Sequence, residues 1–154
     1  MPKTIEEIIY RLRTEGEQLG ITLYPAASSA EIRDFELKLK IKLPDEAKAF
    51  YQFCNGFESE EDLFRIIPLD EISSNIQSYK PHQFYIAEYL MYCDEWTIGV
   101  NPLNNNEYGI CNHHEFIKEI CLTDSLPDFL ECFLSYGLFK ANGLYDLHHT
   151  RNIF

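Results

Sequence analysis

Two histidine pairs, in "HHE" at residues 113–115 and "HH" at 148–149, are the first places in this chain where a metal could be held. Neighbours on an extended chain point to opposite sides, so neither pair is a chelate by itself. Cys111 and His113 do share a face, yet zinc requires three or four ligands and the spacing supplies no others. A half-exposed strand histidine is the simpler reading, and neither a metal nor a cofactor is expected. None of the serines stands in a G-x-S-x-G elbow, so no nucleophilic triad can be nominated. The seven glycines are scattered singly, which leaves no phosphate cradle. Asp94 and Glu95 could form a hydrolase pair. Carboxylates are so numerous, however, that neighbours arise by chance, and a turn between two strands accounts for these two. No catalytic residue is assigned.

What the chain has in abundance is negative charge. Its 154 residues hold 13 Lys and Arg against 25 Asp and Glu, a formal charge of −12. Nucleic acid is excluded as a direct partner, because phosphate binding draws its affinity from Lys and Arg displacing counterions. An anionic membrane is disfavoured for the same reason. A basic protein is the natural complement, although an acidic surface also serves solubility alone. The densest acidic run is "FESEEDLF", whose Glu58, Glu60, Glu61 and Asp62 read as a loop before a short strand. That loop is either merely solvated or a negative prong for a basic partner, which Asp94 and Glu95 would extend. The five cysteines show no CxxC spacing, the N-terminus has no apolar signal core, and no window approaches eighteen uninterrupted apolar residues. These features lead to the expectation of a cytoplasmic chain with reduced thiols.

The elements that would carry these residues follow from capping and periodicity. Thr4 with Glu7, and Ser28 with Glu31, make two capping boxes, each ahead of an apolar stripe at helical spacing. In "IKLPDEAKAFYQFCNGF", Pro44 suits a first helical turn and Asp45 and Glu46 suit its dipole. Asn55-Gly56 can then close the helix in the left-handed conformation. "LFRII" reads as a short strand. "QFYIAEYLMY", "EWTIGVN" and "EYGICNH" read as an antiparallel meander, the last two joined by the loop "PLNNN". Strict alternation puts Tyr85, Tyr89, Met91, Thr97, Asn101, Cys111 and His113 on one face. Ser125 and Asp128 open a final amphipathic helix ended by Gly137, and the apolar residues of the tail predict that it folds back. With neither repeats nor a linker, residues 1–154 are expected to form one α+β domain. Its helices cover one face of a mainly antiparallel twisted sheet, and the other face is left to a partner or to the tail.

This order of pieces resembles the SUKH superfamily, the Smi/Knr-type domain of yeast cell-wall synthesis regulators that is widespread in bacteria. The resemblance rests on "SSAEIRDFELKLKIKLPDEAKAFYQFCNGF", "LFRIIPLDEI", "EWTIGVN" and "SLPDFLECFL", and it is strongest over residues 28–136. It implies an α+β fold and no shared catalytic residues. For a bacterial member it implies an immunity protein that binds and neutralises a cognate polymorphic toxin, often a nuclease. The yeast relatives imply the alternative, a cytosolic regulatory or scaffolding module. From another class, a small hydrolase using the Cys111–His113 face is a further alternative. The meander turn "CDEW" departs from the glycine-rich turn of many members. From the acidic run, its extension at the meander turn and the aromatic sheet face, the expected partner surface comprises Glu58, Glu60, Glu61, Asp62, Tyr85, Tyr89, Asp94 and Glu95. Reversing charge at Glu60, Glu61 and Asp94 is expected to weaken partner binding with little loss of thermal stability. Binding titrations at two salt concentrations check this, and equal affinity throughout refutes it.

Overall fold

Each capping box starts a helix at its expected place. The Thr4 side chain accepts from the Glu7 amide ahead of α1 (Ile5–Glu15), and Ser28 accepts from Glu31 ahead of α2 (Ser29–Leu39). The computed structural model describes residues 3–60, 63–112 and 120–151. Helix α3 (Asp45–Phe53) begins one residue after Pro44, with Asp45 and Glu46 in its first turn. Its end is made differently from the expected Asn-Gly stop. Cys54 is extended, and only Gly56 has positive φ, at 95°. Asn55 instead uses its Oδ1 to accept from the Leu69 amide at 2.9 Å, fastening the start of a later helix, α4 (Leu69–Ser74).

The sheet has seven strands, ordered in space as in sequence, with every neighbouring pair antiparallel: β1 (Ile21–Leu23), β2 (Phe57–Ser59), β3 (Phe64–Ile66), β4 (Gln83–Tyr89), β5 (Asp94–Asn101), β6 (Asn104–Asn112) and β7 (Ile120–Thr123). The α+β class is as expected. Three strands were not expected: β1 lies in what reads as a connector, β2 occupies the start of the acidic "loop", and β7 lies in the stretch just ahead of the Ser125 cap. The Asn tract after Pro102 is not a loop either. It opens β6, where Asn105 donates to the Leu43 carbonyl at 2.8 Å and Asn106 accepts from the Asp45 amide at 2.8 Å. Those bonds dock the β5–β6 hairpin on the start of α3.

A run of rings holds one face of the sheet against the helices. Phe57 meets Phe50 of α3 at 6.3 Å, and Phe64 stacks on Phe133 of α5 (Leu126–Tyr136) at 4.1 Å. Phe64 also meets Trp96 edge-on at 5.5 Å, and Trp96 meets Phe129 at 6.2 Å. Phe57, Phe64, Trp96 and Phe129 are fully buried, and offset or edge-on packing of this kind adds to the area they bury. The tail folds back as α6 (Leu144–Arg151) on this same side. Tyr145 lies on Trp96 at 5.7 Å, and Phe139 packs on both Tyr145 and Tyr89. Residues 137–151 therefore pack on the helix side and not on the opposite face.

Gly56 is the tightest backbone constraint in this frame. A Cβ there would run into the Ile66 carbonyl oxygen, and its φ of 95° is one that side chains rarely adopt. Gly56→Val is expected to lose more than about 3 kcal/mol of stability. Urea unfolding followed by circular dichroism measures the loss, and a variant within about 1 kcal/mol of wild type would contradict this account of the position.

Candidate functional site

Strand β3 is only three residues long, and its alternation serves two faces at once. Phe64 and Ile66 are fully buried among the helices, while Arg65 points to the open face. Arg65 pairs in register with Glu88 of β4, which is buried to 2% exposure although it sits on the open side. The Arg65 Nε donates to Glu88 Oε2, and its two terminal nitrogens grip both oxygens of Glu71 on α4. Such a two-pronged contact is the strong geometry for a guanidinium and a carboxylate. Hydrogen bonding to Glu71 holds the Arg65 guanidinium charged, and the same bond holds the Glu71 carboxyl below the ordinary carboxylate range.

A strained turn closes over this cluster. Leu90, Met91 and Tyr92 join β4 to β5 with φ of 50°, 54° and 66°, a left-handed run with no glycine in it. Each residue so held costs roughly 1–2 kcal/mol. The turn is tied by Cys93 N donating to Tyr89 O at 3.0 Å. Tyr92 is thereby folded back: its amide donates to Glu88 Oε1 at 3.1 Å, its hydroxyl donates to Glu71, and Arg65 lies 6.0 Å over its ring. Burial, and then the bond to Glu71, raise the Tyr92 phenol above its ordinary value. Leu63, also left-handed at φ 54°, accepts the Leu90 amide on its carbonyl at 3.1 Å. Between the two loops lies a groove of about 410 Å³, lined by Glu58, Ser59, Glu60, Leu63, Arg65, Glu88, Leu90 and Met91.

The residues expected at a partner surface divide between the two faces. Glu58 is exposed on β2 rather than in a loop and accepts from the Tyr24 hydroxyl at 3.1 Å; Glu60 is exposed just beyond it. Tyr85, Thr97 and Cys111 do form one row across β4, β5 and β6, with Tyr79 packed edge-on against Tyr85 at 4.9 Å. Glu95 pairs with Glu88, and its charge adds to burial in raising the Tyr85 phenol. Tyr89 leaves this row. A bulge between Tyr85 and Ala87 shifts the alternation, so Tyr89 faces the helix side and meets Phe139 at 5.4 Å. Asp94 goes with it: this first residue of β5 accepts from Tyr145 and from Asn112 Nδ2. Reversing its charge would strip both bonds, so the expectation of unchanged stability fits Glu60 and not Asp94. Met91 is at the turn tip rather than on the strand, and Asn101 lies past a register shift, bonded to Glu107. Glu61, Asp62 and His113 fall outside the described residues.

Of the groove's acids, Glu58 and Glu60 were expected at a partner surface, but Glu88, its bond to Arg65 and the turn above them were missed, because their signals are local only in part. "FRI" does place Arg65 opposite two apolar neighbours, but nothing in "IAEY" shows that Glu88 is buried. Among the described residues no three His, Cys, Asp or Glu side chains gather as a metal would require, and no helix is long and apolar enough to cross a membrane. Burial pushes the Cys54 thiol up to about 12 and the Cys132 thiol to about 11, so both stay protonated and weakly nucleophilic at neutral pH.

The model of the SMI1 / KNR4 family (SUKH-1) matches residues 26–132. No curated protein matches the chain.

Removing Arg65 would leave Glu88 buried without its cation. Arg65→Met is expected to cost about 3 kcal/mol at pH 7. Glu71 has its folded pKa depressed, so its contribution is present above the unfolded carboxylate range and is lost as pH falls through the folded value. The difference between wild type and variant should therefore narrow on acidification. Urea titrations from pH 7 down to pH 3 measure it, and a gap that widens would contradict the assignment.

Proposed function

The chain belongs to the SMI1 / KNR4 family (SUKH-1), and on that premise we propose that it is a non-catalytic, protein-binding domain acting in the cytoplasm as an immunity protein. It binds a cognate toxin that carries a basic surface and neutralises it by occupation, without making or breaking bonds. One observation carries this reading: the face of the sheet turned away from α5 bears Glu58, Glu60 and Glu95 beside exposed Leu63 and Met91, on a chain of formal charge −12. Carboxylates of this kind speed encounter with a basic partner, and apolar contact then slows its departure. A nuclease suits these terms, since the groove that takes phosphate on such an enzyme is itself basic.

The test is co-expression with the C-terminal domain of a secreted protein encoded beside this chain. Growth should be rescued, and the two proteins should purify as a stoichiometric complex whose affinity falls as salt rises. Loss of viability in the presence of abundant folded chain, with no complex recovered, overturns the proposal.

A further inference from the structure

We propose that the groove between the Leu63 loop and the Leu90–Tyr92 turn takes a single apolar side chain flanked by lysines or arginines on the partner protein. This rests on the reading of the chain as a partner-binding domain and names the chemistry that it recognises. The groove's volume of about 410 Å³ has room for a leucine, methionine or phenylalanine side chain. Leu63, Leu90 and Met91 supply its apolar wall and are 53%, 39% and 88% exposed, so burying them is a gain available only to a complex.

Charge decides what accompanies the apolar side chain. Glu58 and Glu60 line the groove and are exposed, while Arg65 in its wall already answers to Glu71 and Glu88. The mouth therefore keeps net negative charge, and a neutral or acidic segment would meet uncompensated carboxylates. A second copy of this chain is the wrong occupant for the same reason, because it would bring another surface of formal charge −12 to an acidic mouth.

The backbone concentrates its cost here as well. Of the seven non-glycine residues with positive φ among those described, Leu63, Leu90, Met91 and Tyr92 all belong to these two loops. Strain is retained where surrounding contacts over-determine it, and here the Leu90–Leu63 backbone bond and the Tyr92–Glu71 bond do so. The result is a turn whose backbone is set before a partner arrives, which lowers the ordering cost of binding.

Met91 supplies its own reporter, since the chain has only two methionines. Chain labelled with ¹³C at the methionine methyls is titrated with a nine-residue peptide, Gly-Ser-Lys-Arg-Leu-Arg-Lys-Ser-Gly. Two controls replace its leucine by serine, or its four basic residues by glutamate. The Met91 signal should shift saturably with the first peptide, about tenfold more weakly with the serine control, and not with the acidic one. Glu58→Lys with Glu60→Lys should weaken the first titration about tenfold while the free Met91 signal keeps its position. The inference is overturned if Met91 responds equally to all three peptides or to none. It is also overturned if the charge variant binds as wild type, or if the signal moves with protein concentration alone, as for a second copy. A neighbouring toxin captured equally by wild type and by Glu58→Lys/Glu60→Lys/Met91→Asp removes the groove but leaves the partner-binding reading. A toxin that wild type fails to capture removes that reading.

Discussion

Burying Glu88 on the solvent side of the sheet obliges a cation to lie against it, and the arrangement of the open face follows from how Arg65 meets that obligation. A guanidinium suits the task because it can serve several oxygens in fixed directions, where an ammonium would offer one point of charge. Its first bond holds β3 and β4 in register on Glu88, and its second grips Glu71 and so draws α4 to the sheet. Tyr92 completes the arrangement by bonding both carboxylates, which folds the β4–β5 turn back over the strands. On the other side of the same three-residue strand, Phe64 anchors the aromatic run that joins the sheet to α5. The two faces are thus coupled through one short element. The core cannot shift β3 without moving the cation.

That coupling explains why an acidic chain can keep carboxylates close together. Unpaired, the buried Glu88 would be costly, and the pairing leaves it fixed rather than free to reach a partner. The carboxylates left exposed, Glu58 and Glu60, sit at the rim, where they can answer a basic surface without bearing on the core. Neighbouring acids are thus divided by depth into a buried, paired one and exposed ones.

Much of the helical framework was legible in the sequence. Thr4–Glu7, Ser28–Glu31 and Ser125–Asp128 are side-chain-to-amide bonds made within one turn, so their spacing alone discloses them. Of the sheet, the long strands could be read, but β1, β2 and β7 could not, because three or four residues are too few for a period of two to show. Alternation also misplaced Tyr89, since a bulge adds a residue that no local pattern marks. The left-handed Leu90–Tyr92 turn was hidden more thoroughly. Turns of that hand are ordinarily announced by glycine or asparagine, and this one is held by Glu71 and Glu88, distant partners that only the folded chain brings near. Of the expected partner residues, Glu58, Glu60, Tyr85 and Glu95 belong to the open side of the sheet. Asp94 was misjudged because its partners Asn112 and Tyr145 come from a different strand and from the tail.

The brevity of the outermost strands has a bearing on how the molecule behaves in a crowd of its own kind. At one margin β1 offers only three residues of backbone to a stranger, and at the other the four-residue β7 has α6 lying against it. Growth of the sheet by adding a strand from a neighbouring molecule needs a longer and more open ledge than either. The molecule can therefore display a sticky apolar patch on its face without inviting fibrils along its rim.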